Sequence, residues 1–324
     1  VRALVTGATG YIGGRLVPAL LSAGVHVRAG ARDTAQLRDQ PWVDDVERAH
    51  ADVLDAEVIR AALDDVDVAY YLVHAIGKGT DFAELDRRAA RTFAAAARDA
   101  GVRRVVYLGG LYPEDEELSP HLRSRAEVGE ILLASGVPLA WLRAAVIIGS
   151  GSASFEMLRY LTERLPVMIT PKWVETRIQP IAVRDVLHYL VGAKDLPADV
   201  SRAFDIGGPD VLTYRQMMQE FAAVEGLPKR RIIGTPVLSP GLSSHWVQVV
   251  TPVPNAIARP LVESLRNTVV CREHDIAAYI PDPEGGLTDF PTAVRLALRK
   301  IRSGDVATRW SDAEYRGAPA DPLR

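Results

Sequence analysis

Three glycines spaced three residues apart in Thr6-Gly7-Ala8-Thr9-Gly10-Tyr11-Ile12-Gly13 are the first residues with a chemical meaning. The run follows the apolar segment Arg2–Thr6 and opens an amphipathic one, so it reads as a turn from a strand into a helix. At such a turn Gly7 lets the chain reverse tightly. Gly10 lets the backbone approach a ligand, and Gly13 lets helix and strand pack closely. The free N–H groups and positive end of the helix then suit a pyrophosphate. The spacing predicts a dinucleotide held by Gly7, Thr9, Gly10, Tyr11, Ile12 and Gly13.

Which dinucleotide is read at the end of the second strand. An acidic side chain there accepts hydrogen bonds from the ribose hydroxyls of NAD. Counting along Gly24–Arg32, the strand-end position is Ala31, and Arg32 follows it. A guanidinium suits the 2′-phosphate of NADP, so NADP(H) is favoured over NAD(H). Two other readings stand beside this one. Arg32 is solvated while Asp33 caps the next helix, or Asp33 itself takes the ribose contact. Asp52 and Val53 are placed at the adenine edge, and Leu72, Val73 and His74 against the cofactor. A histidine at a strand end is structural as readily as catalytic.

These residues need a frame, and the first half of the chain supplies it. Short apolar segments alternate with longer helical ones, the pattern of a parallel sheet covered on both faces. The predicted strands are Arg2–Thr6, Val25–Gly30, Val46–His50, Val66–Val73, Arg104–Leu108 and Leu139–Ile147. The predicted helices are Tyr11–Ala23, Ala56–Leu63, Phe82–Ala100 and Ser124–Ala134. Gly24, Gly101 and Gly136 stand where helices end in a left-handed residue. The fold class is α/β, a doubly wound parallel Rossmann sheet with a smaller mixed C-terminal substrate-side region. Residues 1–149 form the dinucleotide-binding domain, with later strands returning to it. Residues 150–301, broken by prolines from Pro166 to Pro240, form the substrate side. Its helices are expected near Phe155–Arg164, Arg184–Ala193, Tyr214–Glu225 and Leu287–Ile301. The apolar residues of Trp246–Leu265 read as packing, and residues 302–324 as a tail or linker.

Bulk properties exclude several classes. Among 324 residues, 38 Lys+Arg against 41 Asp+Glu give a net charge of −3, without the basic footprint of a nucleic-acid binder. Cys271 is the only cysteine, so no internal disulfide forms, which fits a cytoplasmic location. No apolar run is long enough for a transmembrane segment. The chain opens at Val1 directly in a strand-like segment, so no signal peptide is expected in it, and an initiator Met is expected upstream. No metal site is predicted: the acidic run Glu114–Glu117 lacks alternating ligand spacing and reads as a solvated loop.

With these residues in hand, the chain resembles the extended, atypical short-chain dehydrogenase/reductases. The resemblance runs from Arg2 to about Ile301. It rests on the glycine motif, on Gly101-Val102-Arg103-Arg104-Val105-Val106-Tyr107-Leu108 and on Ile181-Ala182-Val183-Arg184-Asp185-Val186. The segments Leu72–Gly77, His121–Arg125 and Gly149–Glu156 are similar to a bacterial NAD(P)-binding subgroup that is nucleoside-diphosphate-sugar epimerase-like. Members of that subgroup often continue into a further C-terminal domain.

The resemblance implies an oxidoreductase acting on a small carbonyl or alcohol, with a small-molecule substrate as partner. The alternative is a non-catalytic NADP(H) sensor with a protein partner, or a subunit that holds the nucleotide structurally. Active members use Ser, Tyr and Lys, with Tyr-x-x-x-Lys on one helix. Here the aligned pair is His121 and Arg125, and Gly109-Gly110-Leu111 stands where the serine is expected. His121 could move a proton near neutral pH, and Arg125 could hold the ribose. The other reading is that His121 and Ser124 simply start a helix. Ser119 is a replacement hydroxyl or a cap. By the same resemblance Ala144–Ile147 forms the wall beside the nicotinamide, and the N–H groups opening the next helix could hold an anion or carbonyl. Phe155, Arg159, Trp173, Arg177 and Gln179 are candidate substrate-lining residues.

Overall fold

Arg2–Thr6 (β1) lies between His26–Ala31 (β2) and Val68–Tyr71 (β4), with Val5 beside both Ala29 and Tyr70. A strand paired on both edges and covered on both faces has no solvated side, and Ala3, Leu4, Val5 and Thr6 are accordingly buried. Glu47–His50 (β3) extends the sheet beyond β2. Arg104–Gly110 (β5), Leu139–Ala144 (β6) and, later in the chain, Arg202–Ile206 (β11) extend it beyond β4. The order β11-β6-β5-β4-β1-β2-β3 is parallel throughout, and the direction of winding reverses between β1 and β4. Ligands of open α/β sheets sit outside the carboxyl ends of the strands at this reversal. The computed structural model describes residues 1–75, 82–170, 172–234 and 250–311, with nothing to say of the Lys172 side chain. Ile76 and Gly77, Pro171, Pro236, Pro240, the stretch 246–249 and the tail from 312 therefore lie outside the described residues.

Each face of the sheet has its own core. On one side Gly13–Ser22 (α1) and Val183–Gly192 (α6) bury Leu16, Val17, Leu20, Tyr189 and Leu190. On the other, Ala56–Ala62 (α2), Phe82–Asp99 (α3) and Pro120–Leu133 (α4) pack around Phe93, Tyr107 and Trp141. The alanines of α3 at 89, 90, 94, 96 and 97 are buried, so small residues let this helix lie close to its neighbours. Gly24, Gly101 and Gly136 end their helices with positive φ, as read from the sequence.

A third core belongs to the substrate side. Ala153–Arg164 (α5), Tyr214–Val224 (α7), Asn255–Ser264 (α8) and Phe290–Arg302 (α9) bury Phe155, Leu158, Met217, Phe221, Ile257, Val262 and Val294. Three two-stranded ribbons frame them. They are β7 (Ile147–Ile148) with β10 (Ile181–Ala182), β8 (Val167–Thr170) with β13 (Arg231–Gly234), and β9 (Arg177–Ile178) with β12 (Leu212–Thr213). The apolar residues of the described part of 246–265 do pack, through α8. The start of the 302–324 tail is docked rather than loose. Thr308 is buried, its hydroxyl donates to Tyr11 O at 2.8 Å, and Trp310 N–H donates to Gly151 O at 2.8 Å.

Candidate cofactor and substrate site

The glycine-rich loop has the form of a phosphate cradle. Gly7 has φ +70°, and a Cβ there would meet Leu72 O at 3.0 Å, so the ends of β1 and β4 press together at this point. A Cβ on Gly13 would fall 2.1 Å from Gly7 O, closer than any side chain tolerates. Within the loop Gly10 N–H donates to Gly7 O and Gly14 N–H to Gly10 O. The N–H groups of Ile12 and Gly13 have no acceptor among the described residues. No side chain caps α1, and no acidic residue stands in its first turn. Donors left open at a helix start, with no competing carboxylate, suit a bound diphosphate. Thr6 Oγ1 donates to Tyr70 O at 2.8 Å and accepts from Leu72 N–H at 3.3 Å, which fixes the neighbouring strand ends.

The rim residues are placed as follows. Arg32 is exposed, and no ion pair engages it among the described residues. Asp33 caps the short 3₁₀ turn that follows, with Oδ1 accepting from Ala35 N–H at 2.8 Å. Asp52 makes a similar local bond to Leu54 N–H at 3.0 Å, and Val53 is buried. Leu72 and Val73 are half-buried beside the cradle, and His74 is exposed. The segment after them is anchored by a residue that sequence reasoning missed. Asp86 of α3, almost fully buried, accepts from Ala75 N–H at 2.8 Å and from the Ser124 hydroxyl at 2.9 Å. Ser124 is thus a buried link between α3 and α4. The helix itself starts at Pro120, four residues earlier than the sequence predicted. Ser119 acts as its cap, accepting from Leu122 N–H, and pairs with the Ser264 hydroxyl.

His121 and Arg125 stand one turn apart on α4. Arg125 is buried, with Nη2 donating to Leu108 O at 3.1 Å and the guanidinium over the Tyr107 ring. Its Nη1 has no partner among the described residues. A buried charged donor left open in this way fits the hydroxyls of a nucleotide ribose. His121 lines an apolar cavity with Gly110, Leu111, Leu122, Ala144, Ala145, Val146, Ser154, Met157, Tyr214, Leu261, Ser264, Leu265 and Val269. Burial, helped by the Arg125 charge, pulls its pKa down to about 3. A shift in that direction disfavours the ring as a proton carrier near neutrality. The ring is a neutral imidazole there, offering one N–H and one lone pair.

At the end of β5 a serine in place of Gly109 is not accommodated without rearrangement, whereas a Cβ on Gly110 would meet nothing closer than the Leu122 side chain, at 3.1 Å. A Cβ on Gly109 would meet the Trp141 indole at 2.4 Å, and Gly129 of α4 is pressed against the other part of that ring. Gly110 pairs with Ala144 across the sheet, and Leu111 N–H donates to Ala144 O at 2.8 Å. Ala144, Ala145 and Val146 line the cavity, whereas Ile147, expected in the same wall, does not.

Several substrate-side expectations need correction. Phe155 is wholly buried and packs on Phe221, with ring centroids 6.0 Å apart, so it serves the core. Gln179 uses both ends of its amide on the backbone, donating to Gly208 O and accepting from Cys271 N–H. Arg159 is buried against Glu156, and Arg177 is exposed. Trp173 is half-buried, edge-on to Tyr214. The start of α5 is not an open anion site, because Ser152 caps it and Glu156 accepts from Gly151 N–H at 3.1 Å. Tyr214 of the cavity wall was read from the sequence only as the start of a helix. A tyrosine after a Thr-x-x-Gln capping pair carries no signal of cavity exposure.

With this geometry the comparisons become informative. Residues 7–146 match the family model described as NAD(P)H-binding. Cinnamoyl-CoA reductase 1 of Oryza sativa subsp. japonica is 37% identical over 109 residues, 32% of each chain. The chain spans about a third of the length of the first curated relatives it matches. (4-Alkanoyl-5-oxo-2,5-dihydrofuran-3-yl)methyl phosphate reductase of Streptomyces griseus is 29% identical over 239 residues, covering 70% of this chain and 75% of that one. The triphenylmethane reductase of Citrobacter sp., solved with NADP(H), superposes with a TM-score of 0.71 at 20% identity. That match covers 92% of this chain and 100% of the other. Among the described residues no helix is long and apolar enough to cross a membrane.

Proposed function

We propose that this chain, whose residues 7–146 match an NAD(P)H-binding family model on a doubly wound parallel sheet, is an NADP(H)-dependent oxidoreductase of the extended, atypical short-chain dehydrogenase/reductase type acting on a small carbonyl compound or the matching alcohol. The observation that carries this reading is the common sheet end. Gly110 and Ala144, at the carboxyl ends of β5 and β6, line the cavity with Leu111, and the glycine-rich loop follows the carboxyl end of β1 in the same parallel sheet. When bound, the dihydronicotinamide supplies a hydride. Reduction of a carbonyl there would require that hydride at its carbon and one proton, drawn from water, at its oxygen. Ile12 and Gly13 hold the diphosphate through their N–H groups, and Arg125 holds the ribose through Nη1. The apolar walls exclude bulk water from the reacting carbon. The neutral His121 ring donates its N–H to the oxygen as negative charge develops there, work that needs no titration near pH 7.

Preference for NADP(H) is supported by Arg32, exposed beyond β2, and by Asp33, one of whose oxygens is already engaged by the turn. The reductases among the relatives support a reductive role. Fluorescence titration tests the preference: NADPH is expected to bind at least about tenfold more tightly than NADH, and Arg32→Ala to remove most of that gap, the size of one lost phosphate contact. Tight NADH with negligible NADPH binding rejects it. Oxidation of NADPH by a panel of uncharged ketones and aldehydes tests the reaction, and inactivity across the panel counts against it.

A further inference from the structure

Tyr214 opens α7 directly behind Thr213, which forms a reciprocal capping pair with Gln216. The cap fixes the first turn and with it the position of the ring. The side chain is buried and edge-on to Trp173, with centroids 5.5 Å apart. It lines the same cavity as His121, yet its hydroxyl has no hydrogen-bond partner among the described residues. Leaving a buried hydroxyl unpaired costs roughly 1–3 kcal/mol, so a position that keeps one calls for a ligand to complete it. The Trp173 indole N–H beside it is buried and unpartnered as well.

The rest of the lining decides what that ligand is. Leu111, Val146, Leu261 and Leu265 offer only hydrocarbon, Met157 adds a weakly polar thioether, His121 and Ser154 add a ring and a hydroxyl, and the Ser264 hydroxyl already donates to Pro260 O. No Lys, Arg, Asp or Glu lines the cavity among the described residues. A pair of phosphates brought against such a wall would lose hydration with no cation to replace it.

We infer that the Tyr214 hydroxyl is the specificity anchor of this cavity, donating to a single carbonyl oxygen of an uncharged, largely apolar ligand, and that nucleoside-diphosphate sugars are not accepted there. The inference rests on the cavity being the substrate site of the oxidoreductase proposed above. Burial drives the phenol's ionisation far above neutrality, so the group is a constant donor across the physiological range.

Two uncharged ligands of nearly the same shape isolate the hydrogen bond: cyclohexanone and methylenecyclohexane. Ligand-observed NMR titrations on the full chain, with and without NADP⁺, are expected to show the ketone binding about tenfold more tightly than the hydrocarbon. Tyr214→Phe is expected to abolish that preference while leaving hydrocarbon binding intact, which also reports that the cavity has survived. Infrared spectroscopy on the wild-type protein gives a readout independent of the variant, with the bound ketone's C=O stretch lowered from its value in hydrocarbon solvent. Absence of ketone binding, an unshifted stretch, or a preference that persists in Tyr214→Phe overturns the assignment. So does displacement of the ketone by UDP-glucose at lower concentration than the ketone itself requires. None of these readouts involves turnover. A chain that binds ketones through Tyr214 but oxidises no NADPH would remove the oxidoreductase reading and leave only the binding contact at Tyr214, so the two failures are told apart.

Discussion

His121 carries a consequence for pH that its sequence position does not announce. The folded chain holds its pKa near 3, whereas an unfolded chain titrates near the ordinary histidine value of 6.5. Below pH 6.5 the unfolded state takes up a proton that the folded state refuses. Stability attributable to this site is complete above 6.5 and declines as pH falls towards 3. Urea unfolding followed across that window is expected to lose up to about one proton's worth of pH dependence in His121→Asn. An unchanged profile would show that the ring is hydrated. At this scale the glycines were legible, because a Cβ on Gly13 has nowhere to go whatever surrounds the loop. Phe155, Gln179 and Tyr214 were not legible. Whether an aromatic ring or an amide faces a core, a backbone or a cavity is decided by elements far away in the chain, and no local spacing encodes it.

Between elements, the carboxylate of Asp86 is a small joint with large leverage. It links α3, the Ala75 N–H beyond β4 and Ser124 of α4. Replacing it leaves two buried donors unsatisfied, at roughly 1–3 kcal/mol each. Asp86→Ala is therefore expected to lower unfolding free energy by about 3 kcal/mol in urea. NADPH affinity should weaken with it, because Leu72 and Val73 border the cradle. A variant with unchanged midpoint and affinity would contradict this. The alternation of strands and helices in the first half was readable because burial on both faces imposes continuous apolar runs. β11 escaped for a physical reason. Its interior Asp205, fully buried, is neutralised by Arg143 on the adjacent strand β6, so a charge sits where an apolar residue signals a strand. At α4 the helix range set from Ser124 was four residues late, while the alternative reading of Ser119 as the cap ahead of Pro120 is the one the structure bears out.

Across the whole molecule, the first and last described segments meet. Arg15 of α1 donates through Nη2 to Ser150 O at 2.7 Å and to Thr308 O at 3.2 Å. Thr308 also packs its methyl over Gly14, where a Cβ would come within 2.7 Å of it. Thr308→Ala is expected to cost about 1 kcal/mol and to weaken NADPH binding modestly. Ending the chain at Arg302 should do both more strongly, as thermal melts and cofactor titration would show. Equal affinity in the shortened chain would separate the tail from the cradle. The sequence read this segment as a tail because it has no periodicity, and a single threonine docked by its own shape has none to offer. This contact also sets an order of events during synthesis. The glycine-rich loop leaves the ribosome long before Thr308 does, so Tyr11 O receives its partner only 297 positions later. A nascent chain can therefore assemble the sheet well before its nucleotide grip is locked.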